Sequence, residues 1–176
     1  IAPMASHAMP LAGVRVVEME GIGPGPLGAC VLADFGADVV SVSQVGRRGQ
    51  VLSKADPVSR GKRSIALNLK SPEGHAAFCR IAAQADVLIE PYRPGVMEKL
   101  GLGPDVLTAA NPRLIYARMT GWGQGGDEKI SKSAGHDANY ISIAGTLDLF
   151  RRGDESPSPP ANFAGDYAGG GIMEGK

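Results

Sequence analysis

Residues 14–42 read VRVVEMEGIGPGPLGACVLADFGADVVSV and predict a strand, a helix and a second strand in succession. The β-branched run from Val14 to Met19 predicts the first strand, and the glycines and prolines of residues 21–26 predict a turn after it. Apolar side chains then recur at helical spacing in residues 27–35, until a glycine ends the helix and a second buried strand runs from Asp38 to Val42. Two strands joined through a helix in this way are expected to be parallel.

The same alternation continues along the chain. Residues 64–69 are strand-like, a helix with a serine cap and a proline at its first position follows over residues 71–85, and residues 86–90 form the next strand. A short helix over residues 104–110 precedes a fifth strand-like run at residues 114–119. Alternation this regular predicts an α/β fold built on a doubly wound, Rossmann-like parallel sheet.

Beyond Thr120 the sequence is rich in glycine and proline, and it predicts a charged loop to Lys132 and a short helix from about His136 to Gly145. A proline-rich loop through Pro160 follows. Loops at the carboxyl ends of parallel strands are where such folds bind ligands, so we expect the functional site there.

Composition excludes several classes of function. Eighteen basic residues balance 18 acidic ones among the 176, so no net charge attracts nucleic acid or an anionic membrane. Cys30 and Cys79 fall in separate predicted helices and are expected to be reduced core thiols rather than a disulfide or a metal site. The chain has no apolar run of the roughly 18 residues that a membrane span needs, and its start does not resemble a signal peptide. We expect a soluble, unexported protein.

The glycine-rich turn after the first strand suggests a dinucleotide site, because phosphate can bind free N–H groups at a helix N-terminus. Pro24 and Pro26 have no N–H to donate, however, and the second strand ends in residues 41–43, Ser-Val-Ser, without the acidic residue that would bind a ribose. A nicotinamide cofactor is therefore not expected. The alternative is that these glycines allow a tight turn and close packing of the helix.

A basic segment, residues 46–62, leaves two interpretations open. Its cations are Arg47, Arg48, Lys54, Arg60 and Lys62. Such a run is more often a solvated loop than a site, and a phosphate-binding role is the alternative.

The candidate catalytic residues are His136 and Asp166. His136 directly follows a glycine-rich loop, and Asp166 lies near a predicted helix start with glycines on both sides. Glycine would let a substrate approach the backbone, and N–H groups at a helix start could stabilise an oxyanion. The spacing alone leaves open a catalytic pair, a structural histidine and an N-cap role for the aspartate.

Several blocks together resemble the α-methylacyl-CoA racemases of the family III CoA-transferase superfamily. The blocks are VVEMEGIGPGP (16–26), LADFGADVV (32–40), ADVLIEPYRPGV (85–96), RLIYARMTGWGQ (113–124), GHDANY (135–140) and GDYAGGG (165–171). The resemblance extends from Leu11 to about Ile172 and implies a domain that binds coenzyme A (CoA) over the strand ends. It also implies a catalytic pair at His136 and Asp166. The related transferases use the aspartate as a covalent nucleophile and generally lack the histidine, so His136 favours racemase chemistry.

The resemblance also implies the neighbours of this pair. Asp137, Tyr140 and Asn162 match supporting positions. Positions that match CoA or substrate contacts are Ile22, Leu67, Asn68, Leu69, Lys70, Tyr92, Arg93, Lys99, Gly135, Ala138 and Asn139. Each of these could equally be a surface or packing residue. No metal is implied, and the only cofactor is the CoA of the substrate itself.

The chain departs from the family at two places. Family members commonly carry basic residues after the second strand, where this chain has Ser-Val-Ser-Gln-Val at residues 41–45. The family also continues into a small second domain, which supplies a glutamate that supports the histidine, and its members form interlocked homodimers. We therefore expect a disordered leader at residues 1–10 and, over residues 11–176, the N-terminal part of a longer fold.

The sequence favours an acyl-CoA racemase and leaves two alternatives, a CoA-transferase with Asp166 as nucleophile and an inactive module that binds CoA thioesters. The expected location is the cytoplasm for a bacterial protein and the peroxisome or mitochondrion for a eukaryotic one.

Overall fold

The computed structural model describes residues 9–46, 57–125 and 127–172 and contains one parallel sheet. Its five strands are β1 (Arg15–Met19), β2 (Asp38–Gln44), β3 (Lys62–Leu67), β4 (Val87–Glu90) and β5 (Ile115–Arg118). Their order across the sheet is β3-β2-β1-β4-β5, and every neighbouring pair is parallel. The predicted doubly wound α/β sheet is confirmed. The chain reverses its direction across the sheet between β1 and β4, which is the switch point where such folds bind ligands.

Helices connect and extend this sheet. They are α1 (Pro24–Asp34), α2 (Pro72–Ala82), α3 (Val96–Lys99), α4 (Pro104–Ala110), α5 (Glu128–Ser131) and α6 (Asp137–Ile143), with 3₁₀ turns at Pro57–Ser59 and Thr146–Phe150 and a π-helix at Phe163–Ile172. Within the described residues, none of these helices has the length and apolarity to cross a membrane.

The core lies in two layers, one on each face of the sheet. Val17 and Leu88 pack with Phe78 of α2 on one face, whereas Val16 and Ile89 belong to the cluster under α1 on the other. Successive side chains of a strand point to opposite faces, which is why the apolar runs of β1 and β4 are buried on both sides. Helices therefore cover both faces and leave the strand ends open for a site.

Several boundaries differ from the sequence prediction. β3 begins at Lys62, two residues before the predicted start, and α2 ends at Ala82 rather than near residue 85. Helical turns α5 and Thr146–Phe150 occur in segments that we predicted as loops, and α3 occurs in a segment for which we predicted no element. Such turns of four or five residues are too short for a periodic apolar pattern to show.

The basic segment contributes to packing through the two cations that the structure describes. Lys62 donates to the Glu18 carboxylate at 2.7 Å and to the Pro26 carbonyl at 2.8 Å, and its side chain is only 3% exposed. Arg60 pairs with Asp34 at the surface. Neither interaction is a phosphate site. Arg47, Arg48 and Lys54 lie outside the described residues, as do residues 1–8 of the predicted leader.

Both cysteines are free thiols, as predicted, with Cys30 buried and Cys79 half-buried. Cys30 faces the carbonyls of Pro57 and Arg60 beside α1.

Replacing Gly74 with alanine should destabilise the fold, although alanine is normally the better helix former by about 1 kcal/mol. A Cβ at Gly74 would lie 2.1 Å from the Asn68 carbonyl oxygen, and backbone cannot easily move away. Overpacking of this kind costs about 1–3 kcal/mol. Urea unfolding followed by circular dichroism measures the change, with Ala76→Gly on the exposed side of α2 as the control for helix propensity alone. A Gly74→Ala protein more stable than the wild type would contradict this close approach.

Candidate functional site

A cleft of about 720 Å³ opens at the carboxyl ends of β1, β4 and β5. Three strand-end loops, residues 20–24, 91–94 and 119–122, form its floor and one side. The rest comes from later in the chain, namely Ser131, residues 133–136, Tyr140, Asn162, Gly165, Asp166, Gly169 and Gly170. The cleft therefore lies at the switch point between β1 and β4, as expected for this sheet.

Glycine residues allow the segments around the cleft to pack closely against one another. A Cβ at Gly21, after β1, would lie 2.5 Å from the Pro91 ring after β4. The π-helix packs on α1 in the same way, because a Cβ at Gly170 would lie 2.6 Å from Pro24 and one at Gly171 would lie 2.8 Å from Leu27. These contacts bring the π-helix against the first turn of α1 and thereby bring Asp166 to the cleft.

His136 stands directly before α6, with its side chain exposed at the cleft. Its backbone N–H donates to Asn139 Oδ1 at 3.0 Å, and its carbonyl accepts from the Asn139 N–H at 2.9 Å. This reciprocal arrangement satisfies free groups of the first helical turn. It holds the backbone of His136 at the edge of the cleft, where the residue is exposed.

Asp166 is 7% exposed and lies inside the π-helix rather than at its N-cap. The buried Asp137 carboxylate links it to His136. Its Oδ2 accepts from the Gly165 N–H at 2.6 Å and from the Asp166 N–H at 2.9 Å. Since Asp137 is the residue next to His136, these two hydrogen bonds place both candidate catalytic residues in one cleft.

Burial raises the pKa of Asp166 above the usual value for aspartic acid, and the neighbouring Asp137 carboxylate adds to the rise. A backbone hydrogen bond from Asp137 and the positive charge of His136 act in the opposite direction. The raised pKa extends the protonated form of Asp166 to higher pH. Burial and the charge of Asp166 likewise raise the pKa of Tyr140.

Trp122 and Tyr140 form an aromatic side of the cleft. Their rings meet edge to face, with centroids 4.9 Å apart and an interplanar angle of 75°. A Cβ at Gly121 would lie 1.9 Å from the Tyr140 hydroxyl, and one at Gly135 would lie 2.7 Å from Trp122 Nε1. The aromatic pair therefore depends on glycine at both positions.

The structure brings together eight of the residues singled out in the sequence. His136, Asp166, Tyr140, Asn162, Ile22, Tyr92, Arg93 and Gly135 all line the cleft. Two others support it from behind, Asp137 through its bonds to the π-helix and Asn139 through its bond to the His136 backbone.

The remaining candidates lie outside the cleft. Ala138 is on α6, where its carbonyl accepts from the Ser142 hydroxyl, and Lys99 ends α3. Leu67, Asn68, Leu69 and Lys70 form the end of β3, the edge strand, and the turn into α2. The Asn68 side chain accepts from the Lys70 N–H at 3.1 Å, and Leu67 and Leu69 pack on the core.

Sequence reasoning expected a site in the strand-end loops beyond Thr120, but it named none of the residues that directly follow β5. Met119, Thr120, Gly121 and Trp122 all line the cleft, as does Glu20 after β1. Their positions directly after two predicted strands were the available signal, because the carboxyl ends of parallel strands meet at one edge.

The chain matches known proteins over nearly all of its length. Residues 11–174 match the pattern of CoA-transferase family III. The chain is 52% identical to the α-methylacyl-CoA racemase of Mus musculus over 165 residues, which are 94% of this chain and 42% of that protein. The same protein from Homo sapiens is 50% identical, again over 94% of this chain and 42% of the relative. The chain thus spans less than half the length of these relatives.

A solved structure agrees with the fold. The crystal structure of Rv3272 from Mycobacterium tuberculosis superposes with a TM-score of 0.82 at 36% identity, over 96% of this chain and 47% of that one. With a family match over residues 11–174 and this fold, the chain belongs to CoA-transferase family III.

Proposed function

We propose that the chain carries the CoA-thioester site and the proton-transfer residues of an α-methylacyl-CoA racemase, an isomerase that inverts the carbon next to the thioester carbonyl. The observation that supports this most is the convergence of His136 and Asp166 in one cleft at the switch point of the sheet. The 52% identity to the mouse racemase supports the same choice.

The chemistry needs one group to remove the α-proton and another to return a proton to the opposite face. Neutral His136 takes the proton in one direction while protonated Asp166 donates its own, and the thioester passes through an enolate. In the reverse direction the carboxylate of Asp166 is the base and the imidazolium of His136 is the acid. The raised pKa of Asp166 suits this exchange, because its protonated form persists to higher pH.

Charge develops on the thioester oxygen in the enolate. Gly23 and Pro24 line the cleft where α1 begins, so the positive end of that helix dipole faces the site. A side chain at Gly23 would lie 3.9 Å from Asp166 Oδ2, so the helix start and the acid share one space. We infer that this helix end stabilises the enolate.

For the CoA portion, we propose contacts with Tyr92 and Arg93 in the cleft and with residues 67–70 and Lys99 further along the same edge. Side chains carry both proton transfers, so the proposal includes no cofactor besides the CoA of the substrate, and it includes no nucleic-acid partner. We further propose an intracellular location and a role in fatty acid metabolism, with the cytoplasm expected in a bacterium and the peroxisome or mitochondrion in a eukaryote.

Apolar side chains near the cleft suggest how the site is completed. Ile143, Leu149, Phe163 and Ile172 are each more than half exposed. We propose that the rest of the longer protein and a second subunit of a homodimer cover them, because isolated large apolar patches are uncommon on monomers.

The first test follows the α-hydrogen of a chiral 2-methylacyl-CoA in deuterium oxide by NMR. We expect exchange with loss of configuration in the wild type. In His136→Ala, exchange from one of the two enantiomers should slow by about 10²–10⁴-fold, the usual contribution of a general acid or base. His75→Ala, on α2 and outside the residues that line the cleft, is the matched control and should retain the wild-type rate. Loss of exchange in both variants, or wild-type exchange from both enantiomers in His136→Ala, would argue against this role.

The second candidate is a CoA-transferase in which the carboxylate of Asp166 attacks the thioester carbonyl. The C–S bond breaks, CoA leaves as its thiolate, and the acyl group remains on Asp166 as an anhydride. Family membership and the position of Asp166 beside Gly23 in the cleft lining favour keeping it. Mass spectrometry after acyl-CoA addition separates the two, because a transferase leaves an acyl group on Asp166 and a racemase does not. A chain that binds the thioester without exchange or acylation would be the binding module.

A further inference from the structure

A partly buried charge cluster beside the cleft links two of its loops. Arg118 is the last residue of β5, and Glu90 is the last residue of β4 directly opposite it in the sheet. Glu90 is only 3% exposed. Arg118 also pairs with Glu98 of α3 and donates to Gln124 Oε1 at 2.8 Å. One guanidinium group therefore joins α3 to the segment after β5, and its positive charge also acts on Glu90.

The partners of Arg118 stand at the ends of the cleft loops. Residues 91–94 run between Glu90 and α3, which carries Glu98, and residues 119–122 run between Arg118 and Gln124. Within the second loop, the Gln124 amide reaches the Thr120 hydroxyl at 3.5 Å. Holding these ends fixes the spacing between the loop with Tyr92 and Arg93 and the loop with Trp122.

The cluster is confined on its other sides. The guanidinium carbon lies 5.7 Å from the centre of the Tyr116 ring, whose hydroxyl donates to the Leu102 carbonyl at 3.1 Å. Glu98 is held by close packing, since a Cβ at Gly103 would lie 2.9 Å from its Cγ. A planar group with several fixed donors suits such a site better than the single ammonium of lysine.

Opposing influences act on the pKa of Glu90. Burial raises the pKa of Glu90 to about 7, and the positive charge of Arg118 and a backbone hydrogen bond from Tyr92 oppose the rise. Glu98 adds to it. Without Arg118, Glu90 would hold its proton to higher pH, and the Tyr92 N–H would lose part of its attraction to a carboxylate.

We propose that Arg118 is a positioning residue, which sets the distance between the Tyr92–Arg93 loop and the Trp122 loop through Glu90, Glu98 and Gln124. This positioning role concerns the geometry of the cleft. It rests on the proposed function only in the measurement of CoA binding. The proposal accounts for a partly buried arginine whose side-chain partners, Glu98 and Gln124, stand at the ends of both loops although neither partner lines the cleft.

The test uses Trp122, the single tryptophan of the chain, as a reporter on the second loop. Acrylamide quenching of its fluorescence is compared in the wild type, Arg118→Met, Arg118→Lys and the control Arg113→Met, which breaks an exposed pair with Asp86 at the other end of β5. The dissociation constant of CoA is measured by calorimetry on the same samples. Thermal unfolding in each sample reports overall stability.

We expect Arg118→Met to make Trp122 more accessible to acrylamide and to weaken CoA binding by about tenfold, with an intermediate effect in Arg118→Lys. Arg113→Met should match the wild type in both measurements. If Arg118→Met does not fold, Arg118→Lys decides the matter on its own. Wild-type quenching in the folded Arg118 variants, or equal changes in Arg113→Met, would overturn the proposal. If the wild type binds no CoA, the proposed function fails while the quenching still decides the role of Arg118.

Discussion

Asp166→Asn should stop α-hydrogen exchange from one enantiomer of a 2-methylacyl-CoA while exchange from the other enantiomer persists. In a site with one base on each face of the α-carbon, each base can remove the α-proton of only one enantiomer, the one whose proton points toward that base. Asparagine keeps the shape of Asp166 but cannot accept or return the proton. We expect the affected rate to fall by about 10²–10⁴-fold, and net racemisation to fall in both directions.

His136→Ala should show the opposite selectivity. Exchange should be lost from the enantiomer that still exchanges its α-hydrogen in Asp166→Asn. Exchange is followed by NMR in deuterium oxide on the separate enantiomers, and Asp148→Asn, an exposed acid paired with Arg151, serves as the control. If both variants lose exchange from the same enantiomer, the two residues act on one face and the proposed inversion is wrong.

Lys62→Met should destabilise the fold by about 3–5 kcal/mol at neutral pH. Lys62 and Glu18 form an ion pair with side-chain exposures of 3% and 0%, and methionine would leave the Glu18 carboxylate buried without its cation. The bond to the Pro26 carbonyl, in the first turn of α1, would be lost as well. Since α1 begins at the cleft, loosened packing should also reduce ligand binding.

The loss of folding stability in Lys62→Met should depend on pH in a defined direction. Burial already raises the pKa of Glu18, while Lys62 lowers it, so removing Lys62 raises it further. A carboxyl group whose pKa is higher in the folded state favours folding below the pKa of the unfolded chain, and this contribution disappears as pH rises through the folded value. The deficit of Lys62→Met should therefore be smallest in acid and grow toward neutral pH.

Urea unfolding at several pH values measures this effect. Arg63→Met on the same strand is the matched control, because its exposed pair with Asp38 is worth at most about 1 kcal/mol. Adding Glu18→Gln to Lys62→Met should recover part of the loss, since no charge then remains buried. A loss no larger than that of Arg63→Met would show that the buried pair contributes little.

The sequence alone determined the architecture. The apolar runs that became β1 and β4 are almost continuous because those strands are covered on both faces, so a local pattern was enough to find them. It missed the start of β3 because Lys62 and Arg63 are cations, and only a partner in another strand makes burial of Lys62 favourable. His136 and Asp166 were selected by their glycine-rich surroundings and by the family resemblance, and both line the cleft.

Only the tertiary structure decided how these residues are held. Asp137 bonds to backbone groups of Gly165 and Asp166, Arg118 reaches Glu98 and Gln124, and Lys62 reaches Glu18, 44 positions away. Local pattern reports which side of a strand or helix is apolar, but a polar contact depends on which distant segment folding brings within hydrogen-bond distance. Burial, which raises the pKa of Asp166, is likewise a property of the assembled cleft rather than of the residues beside it in the chain.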